Sequence, residues 1–303
     1  MASGVELQDL PPPQIRDPDH VIVKVCAVGL CRTDLSVADG RIPTSTPRIL
    51  GHEFAGVVEK TGDHVDHIKT GDHVTAMPII PCGQCADCAN NRQAACEHST
   101  MLGLSLDGAF AEYICLPAST LYRLPTSMSF LLGAYSEPVA ASLAVLKAGI
   151  QPDEKGLIYG QNRISELTLL ILKAHGFENV AMAKPFVAAH VKAHANQYDF
   201  IIETLATSET MRDIQEMIRH NGKIILKSRQ HQPVAININK AVLKDTVFHS
   251  VNYGDFQHGI DLMATGRLKV DHLFGRTFRL EQYREMFAEG CLEESKKLFF
   301  VLE

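Results

Sequence analysis

The strongest restriction on how this chain can fold is a cluster of four cysteines within 15 residues, in the segment PCGQCADCANNRQAAC. The cysteines are Cys82, Cys85, Cys88 and Cys96. Disulfides are rare in a reducing cytosol, and spacings of three residues are too tight for a ladder of such bridges. Two Cys-x-x-Cys steps followed by a fourth cysteine are typical of a structural zinc held by four thiolates. A loop of free thiols or a redox pair is the alternative.

The composition is that of a globular chain long enough for two domains. Its 303 residues lie near the length at which a single hydrophobic core stops growing. With 46% hydrophobic and 21% charged residues, the chain is not expected to be disordered. A net charge of −6 without runs of like charge argues against partners such as nucleic acid or an anionic membrane. No apolar stretch approaches the ~18 residues of a membrane span and no signal peptide is visible, so we expect a cytoplasmic protein.

A second group of metal-binding residue types lies near the ends of predicted strands. One apolar strand ends just before Cys31, and the next strand-like segment contains His52 and Glu53. Glu137 precedes a proline at a predicted helix start, where a carboxylate suits the helix dipole. One sulfur, one imidazole and one or two carboxylates are the donors of a catalytic zinc site with an open position. Each residue alone would be an ordinary polar residue, but together with the cysteine cluster they predict a second zinc.

Several short motifs, together with the cysteine cluster, resemble the zinc-containing medium-chain alcohol and polyol dehydrogenases over nearly the whole chain. The motifs are CRTD at 31–34, GHEFAGVV at 51–58, GDHV at 71–74, DGAFAEY at 107–113 and SEPV at 136–139. The glutamate in the last motif is similar to the sorbitol and threonine dehydrogenase branch. The resemblance implies the α/β class, with a GroES-like β-rich catalytic domain, a Rossmann-type doubly wound parallel sheet, and a zinc in the cleft between them.

The same resemblance implies where the domains begin and end. Residues 1–136 would form the GroES-like catalytic domain, with the structural zinc lobe at 82–96. Residues 137–262 would form the Rossmann-like cofactor domain, and residues 263–303 would return to the catalytic domain. A homodimer or homotetramer is implied as well, since both occur in the family.

The resemblance also implies the roles of individual site residues. Cys31 and His52 match two zinc ligands, and Glu53 and Glu137 match the positions that share the remaining ligand role. Thr33 matches the hydroxyl that relays the proton of the alcohol. Two zinc ions are therefore expected, one catalytic and one structural.

The dinucleotide fingerprint Gly-x-Gly-x-x-Gly is altered to GQNRIS at 160–165, where only the first glycine remains. Asn162 can keep the turn because Asn tolerates a left-handed backbone, although its side chain would crowd the pyrophosphate. Arg163 and Arg32 can each face a phosphate, and an exposed cation is the alternative for both. The candidate cofactor-binding residues are Arg32, Gly160, Asn162, Arg163, Ile164 and Lys184.

The adenosine side of the predicted nucleotide domain is altered and short. The strand that should end in an acid for the ribose diol is followed by Lys184, which can meet a 2′-phosphate and would favour NADP over NAD. Only 14 residues separate Lys184 from Asp199. This gap has room for one helix but not for the usual strand and second helix, so we expect the sheet to be one edge strand short.

These features predict a zinc-dependent oxidoreductase that interconverts a small polar secondary alcohol and its ketone by hydride transfer with NAD or NADP. The altered fingerprint leaves two alternatives. One is a non-redox zinc enzyme such as a lyase or epimerase, and the other is a non-catalytic relative that has lost nicotinamide binding. The complete set of candidate zinc ligands favours the dehydrogenase, because a non-catalytic relative would be expected to lose them.

Overall fold

The computed structural model describes residues 4–44, 47–230, 232–292 and 296–302. Its strands are β1 (His20–Gly29), β2 (Glu53–Thr61), β3 (His73–Ala76), β4 (Ile79–Ile80), β5 (Thr100–Met101), β6 (Tyr113–Pro117), β7 (Leu121–Arg123), β8 (Gly156–Tyr159), β9 (Val180–Ala183), β10 (Tyr198–Glu203), β11 (Ile218–Leu226), β12 (Val247–Ser250), β13 (Phe274–Phe278) and β14 (Lys297–Val301). Its α-helices are α1 (Arg32–Ala38), α2 (Ala86–Ala89), α3 (Phe130–Ala134), α4 (Ser136–Leu143), α5 (Arg163–Ala174), α6 (Ala188–Ala193), α7 (Ser208–Met217), α8 (Ile238–Leu243), α9 (Phe256–Ala264) and α10 (Tyr283–Gly290). Within these residues, no helix has the length and apolar character needed to cross a membrane.

Unit 1 consists of two stretches of sequence, Met1–Glu137 and Asp271–Glu303. Its main sheet has the order β13-β14-β1-β2-β3-β7, and β6 pairs with β1 as well. The pairs formed by β1 are antiparallel, whereas β13 and β14 run parallel. Val21, Val23 and Val25 of β1 are fully buried, as expected where alternate residues of a strand face a core.

The register of β1 brings distant segments of unit 1 together. Gly29 lies opposite Glu53 of β2 on one side and opposite Phe299 of β14 on the other. Cys31 follows the end of β1 and is the N-cap of α1, and His52 directly precedes β2. The pairing of β1 with β2 therefore places Cys31 and His52 at the same end of the sheet.

Unit 2, Pro138–Val270, contains a five-stranded parallel sheet with the order β12-β11-β10-β8-β9. Leu157 and Tyr159 of β8 belong to one buried cluster and Ile158 to another, so both faces of the sheet are covered, as in doubly wound folds. Strand β9 is the edge strand, and the chain returns from it through α6 directly to β10. The predicted α/β class and the sheet one edge strand short are confirmed.

Candidate metal and cofactor sites

The four clustered cysteines converge in the segment between β4 and β5. Their sulfur atoms all lie within 4.8 Å of one another, and all eight cysteines of the chain are free. The sulfurs of Cys85 and Cys96 are 3.8 Å apart, and two ligands of a tetrahedral zinc–thiolate site are separated by about 3.8 Å. The backbone N–H groups of Gln84 and Cys85 donate to Cys82 and lower its pKa to about 6. This geometry fits a closed zinc site held by four thiolates.

A second set of ligand atoms converges between the end of β1 and the start of β2. The sulfur of Cys31, a ring nitrogen of His52 and a carboxylate oxygen of Glu53 lie within 4.8 Å of one another. Both ring nitrogens of His52 are buried and have no hydrogen-bond partner. Because unpaired buried polar atoms are costly, such an imidazole requires a ligand, and the sulfur, nitrogen and oxygen donors fit a zinc.

Glu137 acts on Glu53 through its charge but lies outside the group of three converging ligands. It is in the first turn of α4 and is 4% exposed. The pKa of Glu53 is raised overall, chiefly because the carboxyl group is buried. The charge of Lys297 opposes this rise, and the charge of Glu137 adds to it. The structure therefore brings three of the four predicted catalytic ligands within metal-binding distance and places the fourth close enough to act through its charge.

Three further residues considered for the site, Arg32, Thr33 and Ser36, lie on α1. The Thr33 hydroxyl is 3.7 Å from the sulfur of Cys31, so it lies beside the candidate metal site. Ser36 is half-buried one turn further along the same helix. Arg32 is exposed at the first position of the helix. Thr33 is thus the hydroxyl placed closest to the candidate ligands on this helix.

Asp34 is a site residue that the sequence prediction did not include. It is 1% exposed and accepts hydrogen bonds from the N–H groups of Cys31, at 2.8 Å, and Gly51, at 3.1 Å. Its Oδ1 is also 3.6 Å from His52 Nδ1, beyond hydrogen-bond distance. Burial lowers the pKa of His52, but the charges of Asp34 and Cys31 outweigh this effect and raise it well above its usual value. A carboxylate behind a ligating histidine fixes the orientation of its ring.

Lys297 is the second residue that the prediction missed. Its side chain is 1% exposed, forms an ion pair with Glu53, and donates to the carbonyl oxygen of Leu30 at 2.9 Å. In the sequence, Lys297 is recognisable only as a lysine at the start of an apolar final strand. The local sequence does not indicate that β14 pairs with β1, so the contact with Glu53 could not be predicted from it.

The altered fingerprint forms the turn between β8 and α5. Gly160 has a φ of 150°, which side chains rarely adopt, and a Cβ there would collide with the Thr204 hydroxyl. Asn162 has a φ of −138°, so the predicted left-handed conformation is wrong. The reason is that its side chain caps α5: it accepts from the Ser165 N–H at 2.9 Å and donates to the Thr204 carbonyl at 3.2 Å.

The remaining predicted cofactor residues lie at the carboxyl end of the parallel strands. Arg163 and Ile164 are the first two residues of α5, in the turn where the backbone N–H groups of a helix point towards its N-terminal end. Lys184 is exposed and directly follows β9. The preceding residue, Ala183, accepts a hydrogen bond from the Gly160 N–H at 3.0 Å. Lys184 therefore lies next to the Gly160 turn, where a helix N-terminus favours an anion.

Comparisons of the sequence find relatives over most of the chain. The alcohol dehydrogenase GroES-like domain family matches residues 17–126. A D-xylulose reductase A from Aspergillus oryzae is 26% identical, covering 94% of this chain and 90% of its own length. An L-threonine 3-dehydrogenase from Bacillus velezensis is 27% identical, covering 88% of this chain and 94% of its own.

Solved structures have a similar fold. A protein described as a zinc-binding dehydrogenase from Sinorhizobium meliloti, bound to NADP, superimposes with a TM-score of 0.89 at 25% identity, covering 97% of this chain and 95% of its own. Galactitol-1-phosphate dehydrogenase from Escherichia coli superimposes with a TM-score of 0.89 at 22% identity, covering 99% and 97%. The likeness thus extends over both units of the chain.

Proposed function

Because the chain belongs to the zinc-containing medium-chain alcohol and polyol dehydrogenase family, we propose that it interconverts a small polar secondary alcohol and its ketone by hydride transfer with a nicotinamide dinucleotide. The observation that carries this proposal is the convergence of Cys31, His52 and Glu53. A buried imidazole without a hydrogen-bond partner, beside a thiol and a carboxylate, has the chemistry of a catalytic zinc site.

Cys31, His52 and Glu53 would hold the catalytic zinc, with Glu137 nearby, and the cysteine cluster would hold a structural zinc. When bound, the catalytic zinc supplies Lewis-acid stabilisation of negative charge on the substrate oxygen. Asp34 accepts from the Cys31 N–H and faces the His52 ring, so the fold would orient both ligands before any metal binds.

Thr33 would carry the proton of the substrate hydroxyl away from the reacting carbon. Its own hydroxyl lies beside the sulfur of Cys31, and a hydroxyl can accept one proton while it donates another. Ser36, one turn on, is the candidate for the next transfer. The burial of His52 and Glu53 excludes water from their side of the site, which strengthens the electrostatic interactions there.

The turn before α5 would bind the pyrophosphate of the dinucleotide. Asn162 would hold the turn by capping the helix, and the N–H groups of Arg163 and Ile164 would donate to phosphate oxygens. Arg32 is a further candidate for a phosphate contact. Lys184 stands where an acid would bind the ribose diol, so we expect a preference for the 2′-phosphate of NADP(H).

A titration of the zinc-loaded protein with NADPH and with NADH, followed by cofactor fluorescence, tests this proposal. The chain has no tryptophan, so protein emission interferes little. We expect saturable binding that is tighter for NADPH. Lys184→Ala should remove this preference and leave NADH binding unchanged, whereas Lys192→Ala, on the exposed side of α6, should change neither.

Failure of both cofactors to bind at millimolar concentration, with zinc confirmed, would overturn the dehydrogenase proposal. The replaced glycines would then favour a zinc lyase or epimerase, or a non-catalytic relative. If a cofactor binds, turnover with a panel of polyols and hydroxy amino acids would identify the substrate class, since the relatives are named for D-xylulose and L-threonine.

The family also leads us to propose a homodimer or homotetramer in the cytoplasm. Light scattering coupled to size-exclusion chromatography tests the oligomeric state. A mass of one chain at micromolar concentration would contradict it.

A further inference from the structure

A buried ion pair lies beside the candidate catalytic site in unit 1. The side chains of Lys297 and Glu53 are 1% and 3% exposed. The Lys297 ammonium also donates to the Leu30 carbonyl oxygen at 2.9 Å. Moving a lysine and a glutamate out of water is costly, and a buried pair often stabilises a protein no better than apolar residues would. The pair is therefore poorly explained by stability alone.

The two partners of Lys297 adjoin the candidate metal ligands. Leu30 directly precedes Cys31, and Glu53 directly follows His52 and belongs to the ligand group itself. One ammonium group thus contacts both segments that carry the ligands. Lys297 begins β14, which pairs with β1. The register of this pairing therefore fixes the position of the ammonium group along the strands relative to Cys31.

Gly29 provides the space for the pair. It lies opposite Glu53 in the register of β1 and β2. A Cβ at this position would lie 2.6 Å from Glu53 Oε2 and closer still to the Lys297 side chain. Gly29 belongs to a regular strand, so the requirement here is for space rather than for backbone freedom. The sequence and the fold both accommodate this pair at a place where an ordinary strand residue would exclude it.

The charges around the site indicate what the pair does. With a divalent cation bound, a Cys31 thiolate and Glu53 would place two negative charges beside it, and Glu137 acts on Glu53 through its charge. Lys297 adds a positive charge on the side of Glu53. Lys297 pairs with Oε2 of Glu53, so this oxygen would be less available to a bound cation than the other one. Without Lys297, both oxygens of this carboxylate would be drawn towards the cation.

We propose that Lys297 is a positioning residue of the active site, which holds the Glu53 carboxylate and the Cys31 segment in the arrangement that the catalytic zinc requires. The proposal rests on the proposed function, because it presupposes a metal at Cys31 and His52. Lys297 acts through Glu53 and through the Leu30 carbonyl, and it decides how many oxygens Glu53 offers to the metal.

Cobalt(II) at the catalytic site, with zinc retained in the cysteine cluster, is the probe that tests this role. Thiolate-to-cobalt absorption reports Cys31, and the intensity of the d–d bands reports the number of ligands. We expect Lys297→Met to weaken the d–d bands, because Glu53 adds a ligand, and to keep the thiolate band. Lys297→Arg should restore most of the wild-type spectrum. Lys296→Met removes the exposed charge next in sequence and should have no effect.

Two further variants keep the test decisive if Lys297→Met is unstable. Gly29→Ala crowds the pair without changing any charge, and it should shift the d–d bands in the same direction. In a Glu53→Gln background, Lys297→Met should add no further spectral change, because the two residues act as one unit. In turnover, Lys297→Met should lower kcat about 10- to 100-fold and leave the KM of the cofactor unchanged.

The outcomes separate this proposal from the proposed function. If the wild-type protein has no thiolate-to-cobalt band that Cys31→Ser removes, the catalytic metal site itself is wrong. If the band is present but folded Lys297→Met and Gly29→Ala proteins both keep the wild-type d–d bands, Lys297 has a structural role only and the proposal is overturned.

Discussion

Asp34 and Glu53 are both buried beside His52, but the fold holds them in different ways. Asp34 accepts hydrogen bonds from two backbone N–H groups, one of them that of Cys31, so its position is set by the main chain. Glu53 is held by the side chain of Lys297, whose ammonium also donates to the Leu30 carbonyl oxygen, so the position of Glu53 depends on another side chain. Asp34 is accordingly the more rigidly held of the two, and Glu53 is the candidate ligand whose position depends on another side chain.

Cys31→Ser is expected to abolish turnover while the fold and one zinc are retained, because a hydroxyl is a poor substitute for a thiolate ligand. Metal analysis should give one zinc per chain for this variant and two for the wild-type protein, with an unchanged circular dichroism spectrum. Cys291→Ser, which replaces an exposed cysteine, should keep both zincs and full activity. Full activity of Cys31→Ser would rule out the catalytic-site assignment.

Asp34→Asn should weaken metal binding about 10- to 100-fold, because the amide places a donor against a backbone N–H and removes the anion behind His52. Competition with a coloured chelator measures this affinity. Asp39→Asn, at the C-terminal end of the same helix, is the matched control and should bind zinc as the wild type does. Equal affinities for the two variants would show that Asp34 does not support the ligands.

The residues of the site differ in how far the sequence predicts them. Cys31 and His52 lie in compact motifs whose residue types already specify the chemistry of zinc. Asp34 is part of the CRTD motif, but its role depends on the local backbone conformation. This conformation brings its carboxylate back to accept a hydrogen bond from the Cys31 N–H. Lys297 acts across a pairing between the first and last strands of unit 1, and no local pattern encodes such a long-range register.

The turn between β8 and α5 shows that side chains can replace glycines in an element. Ser165 occupies the third glycine position, and its hydroxyl lies 2.8 Å from that of Thr204. The Asn162 side chain accepts a hydrogen bond from Ser165 and donates one to the carbonyl of Thr204, the residue directly after β10. The turn is therefore cross-linked by polar side chains, whereas the fingerprint glycines would leave it open.

Gly160→Ala is expected to destabilise unit 2 by about 1–3 kcal/mol from backbone strain, with a further loss from the collision with Thr204. Urea unfolding followed by circular dichroism measures the change. Gly71→Ala is the control. Gly71 also has a positive φ, of 90°, but a Cβ at this position would have no heavy atom within 4 Å. Equal losses of unfolding free energy in the two variants would mean that the Thr204 side chain does not restrict the turn.

The cysteine lobe is an element that a bound metal would hold in place, since α2 has only four residues and β4 and β5 two each. Cys88→Ser should therefore lower the melting temperature and release one zinc, because structural zinc contributes directly to folding free energy. Differential scanning calorimetry with metal analysis tests this expectation. An unchanged melting temperature with two zincs bound would contradict the four-thiolate site.

The lengths of elements were more predictable than their exact conformations. The missing edge strand follows from the 14 residues between Lys184 and Asp199, because a strand and two helices need more chain than that. The conformation of Asn162 did not follow, because the tendency of Asn to adopt a left-handed backbone competes with its tendency to cap a helix, and capping prevails here.

At the scale of the molecule, both described clusters of metal-ligating side chains lie in unit 1, and the candidate nucleotide turn lies in unit 2. A moderate chelator is expected to remove the catalytic zinc first, since that site has an open position and the cysteine cluster does not. Activity should be lost and then restored by added zinc, while NADPH still binds. Loss of NADPH binding together with the first zinc would show that nucleotide binding depends on the metal.

Unit 1 is assembled from the beginning and the end of the sequence, since β1 pairs with β14 and Lys297 lies at the start of that last strand. During synthesis on a ribosome, the Cys31, His52 and Glu53 segments emerge long before Lys297 does. All of unit 2 is translated in the meantime and can fold on its own schedule. The candidate metal site therefore reaches its final form only after Lys297 has been translated, and a nascent chain passes through a stage with a folded unit 2 and an incomplete site in unit 1.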